Sequence, residues 1–128
     1  MREIKFRAWD KATRKILEVI EIDFQGMEIL VIDHEEQEAR EAVHGHYELM
    51  QYTGLKDKNG TEIYEGDIVE YHDTSIKSDV ISPVSWSAPM FVVDSGLLYF
   101  ISKEDNKVFD GRIIGNIYEN PELLGDSQ

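Results

Sequence analysis

The sequence predicts a mainly β, α+β fold with a small β-barrel in its C-terminal half. Two observations carry that expectation. Short runs rich in β-branched and aromatic residues recur along the chain, several of them alternating apolar with polar. Gly, Asn, Asp and Pro punctuate those runs at close spacing, as in small barrels and sandwiches. Helix-forming composition is confined to one acidic segment.

The elements follow in order. In EIKFRAW, Ile4, Phe6 and Ala8 point one way and Lys5, Arg7 and Trp9 the other, a period of two that predicts a strand. DKATRK is a polar turn. ILEVIEIDF, from Ile16 to Phe24, is β-prone, and strict alternation places Ile20, Ile22 and Phe24 on one face. Gly26 interrupts, and MEILVID continues as a strand to Asp33. Residues 33–46 read as an acidic surface helix or an acidic loop. Asp33 is an N-cap candidate with Glu36 three residues on, Gly45 is a stop, and Ala39, Ala42 and Val43 make a narrow apolar stripe. YELMQYTG is strand-like from Tyr47. LKDKNGTEIYEGDIVEYHD then places Asn59-Gly60 at a tight turn and Gly66-Asp67 at the entry to the strand IVEY. VISPVSW, MFVVD, GLLYFIS and GRIIGNIY complete the β-rich half, and Asn120-Pro121 opens a final helical turn. Ile113 and Ile117 on one face of that last strand and Ile114 and Tyr118 on the other imply cover on both sides. Pairing with an N-terminal element such as EIKFRAW, or with another subunit, is therefore expected. The domain reading is an N-terminal β-rich subdomain over 1–54 and the barrel with its short C-terminal helical turn over 55–128, in one folding unit.

Acidic residues number 26 against 13 basic ones, a net charge of −13. That balance disfavours nucleic acid as a partner, since phosphate neutralisation needs Lys and Arg in excess. It leaves a solvated surface, or competition for a basic partner. The sequence has no cysteine, so disulfides and thiolate metal sites are excluded. MREIKFRAWDK is charged throughout and does not read as a signal peptide, and no stretch approaches the roughly 20 apolar residues of a membrane span. Cytoplasmic residence is expected.

Three blocks, KFRAWDKATRKI, LMQYTGLKDKNGTEIYEGDIVEY and IIGNIYENPELL, together resemble the YopX family of bacteriophage and prophage proteins, collinearly from about Ile4 to Leu124. The resemblance implies a phage or prophage protein acting in the cytoplasm of a Gram-positive host. It also implies an SH3-like barrel after Gly66 and self-association. It carries no established activity and no catalytic residues.

The residues themselves offer few reactive groups. Gly54, Gly60 and Gly66 lack the Lys-Ser/Thr of a phosphate-binding loop, so Gly54, Asn59, Gly60, Gly66 and Asp67 read as structural turns. His34, His44 and His46 lie in the acidic segment. His44 and His46 form an HxH pair, but nothing in the sequence fixes further metal ligands. There is no G-x-S-x-G elbow. No enzyme activity, metal or cofactor is expected. The aromatics Tyr47, Tyr52, Tyr64, Tyr71, Trp86, Phe91, Tyr99, Phe100, Phe109 and Tyr118 serve either a core or a base-stacking face. Tyr52, Tyr64, Tyr71 and Tyr118 are the candidate interaction surface. The resulting expectation is a non-enzymatic, protein-binding accessory module whose partner is a host or phage protein or a second copy of the chain. A nucleic-acid-binding barrel and an acidic DNA mimic are the alternatives.

Overall fold

A computed structural model describes residues 3–43, 45–87, 90–93, 96–97, 102–103 and 108–125, which form fourteen strands and one 3-10 turn. The strands are β1 (Phe6–Asp10), β2 (Lys15–Asp23), β3 (Glu28–Asp33), β4 (Glu38–Val43), β5 (Tyr47–Lys56), β6 (Glu62–Tyr64) and β7 (Asp67–Asp73). They continue with β8 (Ser78–Pro83), β9 (Ser85–Ser87), β10 (Met90–Val93), β11 (Gly96–Leu97), β12 (Ser102–Lys103), β13 (Val108–Phe109) and β14 (Gly111–Asn116). The fold is thus mainly β. The chain divides into two units, residues 3–51 and the residues from Tyr52 onward, and β5 runs from the first into the second.

In the first unit an antiparallel meander runs in the order β5-β1-β2-β3-β4. Ala8, Leu17, Ile29 and Val31 form its core, with Val19, Ile22, Ala42, Tyr47 and Leu49 packed around them. Each fully buried Leu, Ile or Val side chain contributes about 1.5–3 kcal/mol of apolar transfer. Three successive hairpins share one device. Asp10, Asp23 and Asp33 each end a strand, four residues follow, and the next residue opens the partner strand: Asp10↔Lys15, Asp23↔Glu28 and Asp33↔Glu38. The Asp carboxylate accepts backbone N–H groups from inside its loop: Ala12 for Asp10, Gln25 and Gly26 for Asp23, Glu35 and Glu36 for Asp33. The fourth loop residue turns the chain back through the left-handed region, with φ of 58° at Arg14, 57° at Met27 and 55° at Gln37. In the second unit the Asp73 loop repeats the pattern, with Asp73↔Ser78, Ser75 N–H donating to the carboxylate, and Lys77 at φ 54°.

Two expectations for the first unit are corrected. Of the two readings of the acidic segment 33–46, helix or loop, the helix is overturned: residues 34–37 are a loop and β4 pairs with β3 over Glu38–Val43. Asp33 caps N–H groups as a helix N-cap would, but the left-handed Gln37 ends the turn after one loop and returns the chain as a strand. Ile20, Ile22 and Phe24 do not share a buried face. The β2–β3 ladder slips between Val19 and Glu21, so Ile20 is the extra residue of a bulge. Ile22 packs on the core while Ile20 and Phe24 are exposed.

In the second unit β7 is the centre of the sheet β14-β7-β8, β6 and the parallel β13 flank the end of β5, and β9-β10-β11 form a separate small sheet. Leu55, Ile63, Val69, Tyr71, Val84, Phe91, Val93 and Phe109 make the core. Among the described residues these ladders do not close into a barrel. The expected pairing of the last strand with the first does not occur: β1 is hydrogen-bonded on both edges, to β2 and β5, and β14 pairs with β7. A bulge between Ile113 and Gly115 also breaks the alternation read for β14. Pro121–Leu124 is the expected C-terminal turn, of 3-10 type, but the Asn120 side chain does not cap it. Asn120 Oδ1 instead accepts the Asn116 N–H at 3.1 Å.

Candidate functional site

The glycines and aspartates singled out in the sequence sit at backbone corners. Gly54, Gly60 and Gly66 have φ of 89°, 86° and 92°. Gly54 lies within β5, where the ladder to β6 slips between Tyr52 and Lys56. Asn59 donates its N–H to Asp57 Oδ1 at 2.9 Å, and Gly60 donates to the Asp57 carbonyl. Asp67 is buried and its Oδ2 accepts the Tyr64 N–H at 2.8 Å. Beside it, Gly66 N–H donates to Val84 O and Val84 N–H to Asp67 O. Asp57, which the sequence reading passed over, is the hub of this region, accepting N–H groups of Asn59, Thr61 and Ile113. Its sequence signal was an Asp two residues ahead of Asn-Gly, the spacing of a side chain that closes a turn.

The tyrosine set does not form one surface. Tyr52 and Tyr71 are 5% and 3% exposed and belong to the interior. Tyr52 lies opposite Tyr64 across the β5–β6 ladder with ring centroids 5.5 Å apart. Tyr71 meets Phe109 edge-on at 5.6 Å. Tyr64 and Tyr118 are half-buried. Tyr52 packs on its cross-strand partner Tyr64 and Tyr71 packs on Phe109 within the core, because an aromatic pair gains a little beyond the area it buries. Phe91 and Phe109 are core as well, and Trp86, half exposed, stands edge-on to Phe91 at 5.0 Å. Tyr99 and Phe100 lie outside the described residues.

The histidines are dispersed. His34 bonds Glu18 at 2.7 Å on the surface, His46 is exposed, and His44 lies outside the described residues. Among the described residues no group of three or more His, Asp or Glu side chains is arranged to hold a metal ion. No helix there is long and apolar enough to cross a membrane.

What the fold does assemble is an acidic sheet face that no single motif announces. Between Lys15 and Val43 the chain carries nine Asp and Glu against two Lys and Arg. Both bases are held elsewhere. Lys15 Nζ lies 3.0 Å from Asp33 Oδ2, and Arg40 is bonded to the buried Asp10 carboxylate. The Lys15 bond holds the Asp33 carboxyl below its ordinary range, aided by the Glu36 N–H, and the same bond raises Lys15. On the opposite face of β2-β3-β4, the register sets Glu21, Leu30 and Glu41 in one row and Asp23, Glu28 and Val43 in another. These rows border a groove of about 190 Å³. Half-buried Leu30 lies in it, and Glu21 and Glu41 are exposed at its sides. No ion-pair or hydrogen-bond partner engages the Glu21, Glu28 or Glu41 side chains among the described residues. An apolar floor between unpaired carboxylates is suited to gripping a cationic, partly apolar ligand.

The YopX family, described as "YopX protein", matches residues 5–125. The chain belongs to the YopX family. This YopX-family chain is similar to two solved structures over nearly all of its length. Protein EF1440 from Enterococcus faecalis is 30% identical, with 97% of this chain and 99% of that one covered and a TM-score of 0.66. Protein yopX from Bacillus subtilis is 22% identical, with the same coverage and a TM-score of 0.59. The second likeness is one of fold alone. No curated protein matches the chain.

Proposed function

We propose that this YopX-family protein is a non-enzymatic accessory module of a bacteriophage or prophage that binds a host or phage protein in the bacterial cytoplasm. The observation that carries the reading is the acidic groove, where Glu21, Glu28 and Glu41 have no ion-pair or hydrogen-bond partner among the described residues and lie beside half-buried Leu30. Carboxylates left without cations in one place are what a basic partner recognises, and their field raises its association rate. Support against a catalytic role is the placing of the buried carboxylates. Asp10, Asp33, Asp57 and Asp67 are each engaged with backbone N–H groups or a cation, so their oxygens serve the turns. In this reading the strands around Ile63, Val69 and Phe109 are those of an SH3-like barrel, a platform for loops and faces. A second copy of the chain is the alternative protein partner. Affinity capture with the full chain from phage-bearing and phage-free lysates tests the reading. A stoichiometric protein released by moderate salt is the expected result, and a chain that captures no protein refutes it.

A second reading, an acidic mimic of DNA, is favoured by the same clustering of carboxylates. Its partner would be a DNA-binding protein, and duplex DNA would compete with the chain for it. Failure of DNA to compete removes this reading.

A further inference from the structure

We propose that β4 is a docking edge, at which an extended cationic segment of a partner protein adds as the next strand and sets its basic side chains against Glu41 and the neighbouring groove. The inference rests on the protein-binding reading and names its surface and its chemistry.

Two independent features meet at this edge. The first is backbone. β4 pairs with β3 over all six of its residues and ends the sheet path, and its other edge carries no strand among the described residues. Alternate residues of an edge strand present N–H and C=O groups outward, which an extended chain can pair. The second is charge. The side chains of β4 on the groove face are Ala39, Glu41 and Val43, and a strand added alongside would place its own side chains about 5 Å from them. The fitting pattern is apolar-x-basic-x-apolar, the basic residue against Glu41 and the apolar ones against Ala39 and Val43. Glu21 and Glu28 lie farther across the groove, within the field a lysine or arginine there would feel.

A second copy of the chain is a poor occupant of the same edge. Twofold antiparallel pairing matches residues of like face, so its axis passes through a residue. An axis at Arg40 sets Arg40 against its own copy, and one at Glu41 sets Glu41 against its copy. Axes at Ala39 or Ala42 leave half of β4 unpaired. The net charge of −13 opposes each of these arrangements and favours a cationic occupant.

The test uses the full chain and a labelled octapeptide with alternating valine and lysine on one face and threonine on the other. The expected results are binding at low salt that weakens as salt rises, about threefold loss for Glu41→Gln, and roughly tenfold or greater loss for Glu41→Lys. Methylating alternate peptide amides, which removes edge donors and keeps charge, is expected to abolish binding. Glu41 is exposed, so both variants are expected to fold, and thermal melts of each serve as the control. Unchanged affinity in Glu41→Lys, or full binding by the methylated peptide, overturns the proposal. Self-association of the wild type that Glu41→Lys removes also overturns it, since the occupant is then a second copy. A lysate partner captured equally by wild type and Glu41→Lys refutes the edge and leaves the protein-binding reading standing. Capture of no protein at all refutes that reading itself.

Discussion

Asp57 and Ile113, 56 residues apart in the chain, are joined by a 3.0 Å hydrogen bond from the Ile113 N–H to Asp57 Oδ2. The other oxygen of the same carboxylate accepts Asn59 and Thr61, each at 2.9 Å. One buried side chain therefore fastens the Asn-Gly turn to the closing strand β14.

Asp57→Ala removes three backbone partners at once and leaves the Ile113 N–H in a partly buried setting. We expect a loss of about 2–4 kcal/mol, read as a lowered urea midpoint with an unchanged m-value. Asp57→Asn keeps one acceptor oxygen and is expected to lose less.

Gly111→Ala is expected to be among the costlier single changes. A Cβ there would sit 2.5 Å from the Glu70 carbonyl oxygen and 2.5 Å from the Phe109 ring, with Tyr71 close by. Neither the β7 backbone nor the fully buried Phe109 can retreat. A loss of about 2–3 kcal/mol is expected, visible in thermal melts.

The left-handed positions predict opposite signs at two turns. Lys77 holds φ 54° with a side chain that disfavours it, so Lys77→Gly is expected to gain about 0.5–1 kcal/mol after the entropy cost of glycine. Gly60 holds φ 86° in open space, so Gly60→Ala is expected to lose about 1 kcal/mol from backbone strain alone. Paired denaturation curves check both.

The Lys15–Asp33 bond sets a dependence on pH. The Asp33 carboxyl is lowered on folding, chiefly by Lys15, so its stabilisation is present above the unfolded carboxyl value of about 4 and fades as pH falls through the folded value. The Lys15 amine is raised, chiefly by Asp33, so its share is present below about pH 10 and fades as pH climbs past the folded value. Lys15→Met is expected to flatten the stability profile at both extremes, measured against wild type in denaturant titrations from pH 3 to pH 11.

Strand identity was legible in β1 and β7 from their β-prone sequences. Both nonetheless bury consecutive residues, Ala8-Trp9-Asp10 and Asp67-Ile68-Val69, so their facing does not follow a simple period of two. Facing was not legible in β2, because one extra residue at Ile20 reverses every later position and leaves no mark in composition. The helical reading of 33–46 erred for a different reason. Glu38, Ala39, Arg40, Glu41 and Ala42 are helix formers, yet they occupy an edge strand whose exposed positions accept charge. Asp33 sends the same signal for a helix cap and for a tight loop. The acidic groove was invisible as a motif because Glu21, Glu28 and Glu41 lie on three different strands, although the charge excess that produces it was plain. Tyr52 and Tyr71 looked like surface candidates because nothing in a linear reading says which ring packs against another aromatic side chain.

The Asp-led loops bear on how this chain can change length over evolutionary time. Each holds four residues between paired strand ends, and the strands that follow are committed to a core side and a solvent side. A single-codon insertion or deletion within residues 24–27 or 34–37 would move the left-handed residue off its corner and turn Ile29 or Ala42 outward. Homologues are therefore expected to conserve spacing here more strictly than residue type, with length variants tolerated only where no ladder lies downstream.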